Sequence, residues 1–171
     1  RDESILDVTP YIKHDFSPRY QNTNLWLNKH YAYAVMCERA DGDKQMSYGQ
    51  NLRVYRYAET LLNAAELLLK TGGDAGKAKI YLNMVRNRAG LNDLSAATED
   101  NILDERRHEF FGEGKRYWDL VRTGKAAQVL RAEPNVELSE RTNNWTESRK
   151  YLPIPYNELA ADQSLRQNPN Y

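Results

Sequence analysis

Apolar residues recur at helical spacing before the middle of the chain. Their positions step by four, three, four and three residues: Val54, Ala58, Leu61, Ala65 and Leu68. Residues with this spacing fall on one stripe of an α-helix, which can face a core while the other faces meet water. The stripe gives way to Gly72 and Gly73, and glycine commonly ends a helix. The pattern predicts a helix that ends near Thr71.

A second apolar stripe follows directly. It comprises Ala75, Ala78, Leu82, Val85 and Ala89. Gly90 comes next and predicts the end of this helix. Two helices joined by a short Gly-Gly-Asp turn predict an antiparallel hairpin, and the alanines of both stripes allow the axes to approach closely. From Arg56 to Ala89 the unit spans 34 residues, the length of a tetratricopeptide repeat (TPR), and the sequence contains no second copy.

A third helix is predicted from Thr98 to Arg122. Thr98 suits an N-cap, acidic residues fill the turn that follows, and a glycine two residues beyond Arg122 suits a stop. The packing stripe of this helix comprises Leu103, Phe110, Gly114, Tyr117 and Val121. Gly112 and Gly114 would each cost about 1 kcal/mol relative to alanine inside a helix, so we expect them to allow close contact with another backbone. We also expect Trp118 to lie in the core.

The regions on either side lack a sustained helical pattern. Residues 1–52 carry several turn-forming pairs and predict loops with short strands. Residues 125–171 combine a polar loop around Trp145 with an extended proline-rich segment over 152–155, a short helix and a turn at the tail. The predicted fold class is mainly α. A TPR-like helical hairpin plus a long third helix form a helical core over residues 53–124, with loop-rich segments before and after.

Composition narrows the classes of partner. The sequence carries 24 basic and 24 acidic residues, whereas proteins that follow the phosphates of nucleic acid usually show a basic excess on one face. We therefore expect no nucleic-acid partner, and polar ligands or other proteins remain. Cys37 is the single cysteine, so no internal disulfide can form and we expect it to be a small packing residue.

Glu105, Glu109 and Glu113 follow one another at steps of four on one face of the third predicted helix. With His108 they include the Glu-x-x-His spacing of di-iron helical bundles, but such a site needs a second copy of the motif and two further glutamates. We therefore expect no metal ion and no other cofactor. We expect instead an interhelical network of ion pairs, since guanidinium groups bind carboxylates well in partly buried seams. The expected partners are Arg56, Arg86, Arg88 or Arg116.

No catalytic constellation stands out in the sequence. Glycoside hydrolysis would need two carboxylates across a cleft, one of them with a raised pKa, and arginines beside the glutamates would keep these ionised. The sequence also has no nucleophile elbow, Walker loop, dinucleotide-binding glycine pattern or zinc-ligand spacing. We therefore expect no enzymatic activity. A hydrolase stays open as a hypothesis, which predicts a cleft carboxylate of raised pKa.

Aromatic residues outside the predicted helices suggest a binding function. The apolar face of a sugar ring packs against an indole or phenol while nearby polar groups bond its hydroxyls. Trp26, Tyr31 and Trp145 are the candidates for carbohydrate binding. Two classes of binding function remain open. A sugar-binding protein predicts exposed loop aromatics, whereas a helical-repeat protein–protein adaptor without sugar binding predicts that Trp26 and Trp145 are buried.

Several further motifs lie in a fixed order along the chain. They are Arg56-Tyr57-Ala58-Glu59, Asn83 with Arg86 and Arg88-Ala89-Gly90, Glu105-Arg106 with Glu109 and Glu113-Gly114, Arg116-Tyr117 with Asp119-Leu120, Arg122-Thr123-Gly124, Pro153-Ile154-Pro155, and Gln167-Asn168-Pro169-Asn170-Tyr171. Together they resemble the carboxyl-terminal half of the SusD/RagB family. The resemblance covers nearly the whole of residues 1–171. The matched residues belong chiefly to the scaffold, so they leave the ligand open.

The resemblance implies a surface-exposed lipoprotein of the Gram-negative outer membrane. Such a protein captures oligosaccharide or polysaccharide without catalysis and sits on a SusC-like TonB-dependent transporter, to which it delivers its ligand. It also implies that the lipid-bearing cysteine, which would supply membrane association, and much of the helical repeat scaffold lie in an amino-terminal half that this sequence does not contain.

Overall fold

The structure, a computed structural model, is mainly helical, as the sequence predicts. It describes residues 5–7, 25–27, 29, 51, 53–131, 145–169 and 171. The chain forms two compact units, Arg1–Lys115 and Arg116–Tyr171. The boundary between the units lies within the helical core predicted for residues 53–124, and the three-part division of the sequence stays a prediction.

The first unit begins with two short strands. β1 (Ile5–Asp7) pairs antiparallel with β2 (Leu25–Leu27), so that Leu6 lies opposite Trp26 in the register. Both strands belong to the amino-terminal region that the sequence predicts to be loops with short strands.

Among its described residues the first unit also contains three helices. They are α1 (Tyr57–Lys70), α2 (Ala75–Arg88) and α3 (Glu99–Glu109). The predicted hairpin is present, since α1 and α2 pack along each other and α3 packs against both. The turn between α1 and α2 needs a glycine because Gly72 has a φ of 67°, a conformation that other residues adopt at a cost. Asp74 then caps α2 by accepting a hydrogen bond from the Lys77 backbone N–H at 3.0 Å.

The core of the first unit lies between these three helices. Its fully or almost fully buried residues are Leu62, Ala65, Ala78, Leu82, Val85, Ile102 and Phe110. Ala65 and Ala78 are completely buried, in keeping with the expected close approach of the hairpin helices. Val54 and Ala75 are members of the predicted stripes that lie outside the core. Val54 is 73% exposed because α1 begins only at Tyr57, and Ala75 is exposed in the first turn of α2.

The third predicted helix is divided into two, which corrects the prediction of one long helix from Thr98 to Arg122. Thr98 caps α3 as expected, accepting from the Asn101 N–H at 3.1 Å, but the helix ends at Glu109 and helical structure resumes only with residue 116. Gly112 and Gly114 have φ of 76° and 71°, which a right-handed helix cannot contain. A Cβ added to Gly114 would meet nothing within 4 Å, so the expected close backbone contact is wrong there.

The described residues of the second unit form short helices and an extended segment. Its elements are α4 (Arg116–Arg122), α5 (Ala126–Val129), a 3₁₀ helix (Glu147–Lys150) and α6 (Tyr156–Ala161). Leu120 and Ala126 are buried, but Trp118 is 50% exposed. The prediction that Trp118 lies in the core is therefore wrong.

The tail of the second unit is held by side-chain amides. Gln167 accepts from the Ile154 N–H at 2.8 Å and donates to the Ile154 carbonyl at 2.9 Å, as a neighbouring strand would. Asn168 donates to the Leu152 carbonyl at 2.6 Å. These bonds fix the proline-rich segment, whose prolines cannot donate backbone hydrogen bonds of their own.

Within the part of the chain that the structure describes, no helix is both long and apolar enough to span a membrane.

Candidate functional site

Arg56 joins the start of α1 to the end of α3 through two carboxylates. Its Nε and Nη2 donate to the two oxygens of Glu113 at 3.1 and 2.8 Å, and its Nη1 donates to Glu109 at 2.8 Å. Its Nη2 also reaches the Glu109 carbonyl at 3.1 Å. A guanidinium that binds a carboxylate through two parallel bonds is held in direction as well as in place. Arg56 therefore fixes the approach of the chain into α1.

Lys29 binds the same end of α3. Its Nζ donates to the Glu113 carboxylate at 2.8 Å and to the Glu109 carbonyl at 2.6 Å. Glu109 is the last residue of α3, where backbone carbonyls lack helical partners and a cation is favourable. The sequence gives no signal for this contact, because Lys29 lies in the loop-rich region and 84 residues separate it from Glu113.

The two remaining arginines of the network come from α2. Arg88 donates to both oxygens of Glu109, at 2.8 and 2.6 Å, and Arg86 donates to Glu105 at 3.0 Å. All three glutamates of the predicted face thus bind arginines from neighbouring elements. The predicted ion-pair network is confirmed for Arg56, Arg86 and Arg88.

A second polar cluster lies beside the first and was not predicted. Arg106 is buried and donates to the Asn63 side-chain oxygen at 2.6 Å. Glu59 lies between two cations, with Lys115 at 2.9 Å and Arg106 at 3.7 Å. Glu59 and Asn63 are four residues apart on α1, so the spacing was available in the sequence, but the pairing with α3 depends on tertiary packing.

The aromatic ring of Phe110 lies next to both clusters. The guanidinium carbons of Arg56 and Arg106 are 5.3 and 5.1 Å from its ring centroid. Cations at this distance are attracted to the face of the ring and also pack against it. Phe110 therefore places the two ionic clusters against the apolar core.

The contacts of Glu113 keep its carboxyl group charged. Burial raises the pKa of the Glu113 carboxyl, but the hydrogen bonds and charges of Arg56 and Lys29 outweigh burial and hold the pKa below its ordinary value. Burial also lowers the pKa of Arg56, and its bonds to Glu113 and Glu109 overcome this and raise it. A carboxylate held ionised in this way is a poor proton donor. The arrangement stabilises structure and does not provide a general acid.

The Glu113 contribution to stability should disappear in acid. Because the folded pKa lies below the ordinary value of 4.5, the contribution is present above the unfolded pKa and is lost as the pH falls through the folded pKa. We expect the difference in unfolding free energy between wild type and Glu113→Gln to shrink between about pH 7 and about pH 3. Urea unfolding across this range measures it. Asp104→Asn, on the exposed side of α3, serves as the control, and a pH-independent Glu113→Gln difference would contradict the expectation.

Among the described residues, no group of three or more His, Cys, Asp and Glu side chains is arranged to hold a metal ion.

The structure describes two of the three aromatic candidates for sugar binding, Trp26 by its backbone alone and Trp145 with its side chain. The backbone of Trp26 lies in β2 of the first unit, and Tyr31 lies outside the described residues. Trp145 is in the second unit and half-buried, and its backbone N–H donates to the Leu130 carbonyl at 3.3 Å. Its indole Nε1 is buried and has no hydrogen-bond partner within the described part of the chain. All three assignments stay predictions.

Comparison with known proteins gives a consistent result over nearly the whole sequence. The model of the SusD family matches residues 8–171. SusD-like protein P38 of Formosa agariphila is 32% identical over 170 residues, which cover 99% of this chain and 29% of that protein.

Two solved structures are also similar. Surface glycan-binding protein A from Bacteroides thetaiotaomicron, in complex with laminarihexaose, matches with a TM-score of 0.84 and 44% identity over 98% of this chain and 37% of that one. A laminarin-binding SusD-like protein matches with a TM-score of 0.78 and 37% identity, over 98% of this chain and 34% of that one. The chain therefore spans about a third of the length of the proteins it matches.

Proposed function

Since the chain belongs to the SusD family, we propose that it is part of a cell-surface protein that captures oligosaccharide. In this proposal residues 1–171 form the carboxyl-terminal region of that protein, with a loop-rich segment, a helical core and a second loop-rich segment. The family consists of carbohydrate-binding proteins without catalytic activity. The proposed role is accordingly capture alone.

One observation carries the proposal. A solved relative that matches 98% of this chain at 44% identity was determined with laminarihexaose bound, and the second similar structure is named for laminarin binding. Laminarihexaose is therefore the first ligand to test. Burial raises the pKa of the Glu113 carboxyl, but Arg56 and Lys29 outweigh burial and hold the pKa below its ordinary value. A carboxylate of this kind is a poor proton donor, which supports a binding role rather than a chemical one.

We also propose where the full-length protein acts. It is an outer-membrane lipoprotein exposed at the cell surface, where it passes its ligand to a SusC-type TonB-dependent transporter, and a lipid anchor outside this chain holds it to the membrane. Family membership supports this part of the proposal. Co-purification of the full-length protein with its transporter from solubilised outer membranes tests it.

Isothermal titration calorimetry of the full-length protein with laminarihexaose tests the capture function. We expect saturable binding, weaker binding of maltohexaose, and no new product when the sugar is recovered after long incubation and separated by chromatography. Shortened sugar chains would contradict the non-catalytic role. A folded protein that binds no oligosaccharide but binds another protein would overturn the proposal in favour of the helical-repeat adaptor.

A further inference from the structure

The carboxylate of Glu113 binds two residues that are distant in the sequence, Lys29 and Arg56. It accepts hydrogen bonds from Lys29 at 2.8 Å and from Arg56 at 2.8 and 3.1 Å. The 26 residues between Lys29 and Arg56 are thus closed at their base by a single acidic side chain. Bringing together two residues this far apart in the sequence costs conformational entropy, which the charged contacts offset.

The anchored residue lies close in sequence to an aromatic candidate. Lys29 is two residues beyond the end of β2 and three residues beyond Trp26. Three residues of extended chain span about 10 Å at most, so a fixed Lys29 restricts the positions that Trp26 can take. Tyr31, the other candidate in this region, is two residues from Lys29 on the far side.

The ion pair between Lys29 and Glu113 is partly buried. The Lys29 side chain is 25% exposed and the Glu113 side chain 7% exposed, so the pair is partly shielded from water and from salt. The Lys29 Nζ also satisfies the Glu109 carbonyl at the end of α3, where backbone acceptors lack helical partners. Removing the ammonium would leave both acceptors without this donor.

We propose that Lys29 is a positioning residue for carbohydrate binding: its contact with Glu113 and with the end of α3 places the strand pair that carries Trp26. The inference rests on the proposed function and on the assignment of Trp26. Pre-ordering a contact residue raises affinity because less freedom is lost when the ligand binds. Lys29 touches no ligand in this scheme and acts through Trp26 alone.

A double-mutant cycle on the full-length protein tests the scheme. Lys29→Met removes the charge and keeps the methylene stem, and calorimetry with laminarihexaose measures affinity. We expect Lys29→Met to weaken binding about threefold to fivefold in the wild-type background and by less than about twofold in a Trp26→Ala background. A residue that only stabilised the fold would give no such dependence on Trp26. Lys29→Arg keeps a donor for Glu113 and should restore most of the affinity.

Lys70→Met provides the matched control. Lys70 also binds a glutamate, Glu66 at 3.0 Å, but both residues belong to α1. This pair therefore joins no distant parts of the sequence, and its loss should leave affinity unchanged. If Lys29→Met does not fold, Lys29→Gln, which also removes the charge, enters the same cycle. The proposal is overturned if Lys29→Met binds as wild type, if its loss persists with Trp26→Ala, or if Trp26→Ala itself has no effect. A wild-type protein that binds no oligosaccharide would instead remove the proposed function.

Discussion

Replacing Glu109 with alanine should lower the free energy of unfolding by about 2 kcal/mol. Glu109 accepts hydrogen bonds from Arg56 and Arg88, and its loss leaves both guanidinium groups without that partner. A fully buried pair broken on one side costs about 3–5 kcal/mol. We expect less here because the Arg56 and Arg88 side chains are 22% and 64% exposed. Thermal and urea unfolding measure the change, and the melting temperature should fall by about 6 °C.

The same variant separates stability from binding. The Glu109 side chain makes no contact with Lys29, which reaches the Glu109 backbone carbonyl instead, so ligand affinity of the folded protein should stay within about twofold of wild type. Asp104→Ala, on the exposed side of α3, is the control for losing an acidic residue from this helix. An unchanged melting curve together with lost ligand binding would mean that Glu109 belongs to a ligand site and would overturn the structural role.

The hairpin could be predicted from the sequence because its determinants are local. The two helices are specified by apolar stripes within their own residues. The turn between them is specified by the glycines after α1 and by Asp74, which caps α2. Small residues at Ala65 and Ala78 then allow the two helices to meet, and both are fully buried. Helical periodicity is informative in such a case because most residues of the two stripes pack on the same core.

The break between α3 and α4 could not be read from periodicity. Phe110 and Tyr117 are seven residues apart, which is about two turns of a continuous helix. The spacing of apolar residues is therefore the same whether or not the helix is broken between them. The decisive signal was the pair Gly112 and Gly114, whose positive φ values end the right-handed helix. Each glycine would be tolerated inside a helix at a modest cost, and the sequence alone does not show which of the two outcomes applies.

The ionic partners could be predicted only in part. Arg56, Arg86 and Arg88 were among the predicted partners of the three glutamates, and all three bind them. That prediction was possible because glutamates on one helix face need compensating charge when they are buried. Lys29 was missed for a physical reason. Its contact depends on how a loop-rich segment returns to the end of α3, and neither the composition nor the spacing of residues around Lys29 encodes that return.

Alanine replacements of Trp26 and Trp145 should weaken binding of laminarihexaose to the full-length protein, at least several-fold for one of them. Stacking of a sugar on an aromatic ring contributes on the order of 1 kcal/mol, which corresponds to about fivefold in affinity. Tyr31 is the third candidate, and Tyr31→Ala should have a smaller effect. Calorimetry measures each change at a temperature where circular dichroism shows that the variant is folded.

Trp118→Ala is the matched control for these replacements. Trp118 is a half-exposed tryptophan on α4, so its loss removes a similar ring without touching a candidate residue, and we expect wild-type affinity. The double cycle with Lys29 then assigns the mechanism, because only loss at Trp26 should cancel the effect of Lys29→Met. If Trp26→Ala and Trp145→Ala both leave affinity unchanged, these two rings do not contact the sugar. If Trp118→Ala alone lowers the affinity for laminarihexaose, the binding surface lies on α4 and the exposed indole of Trp118 is the ring that stacks against the sugar.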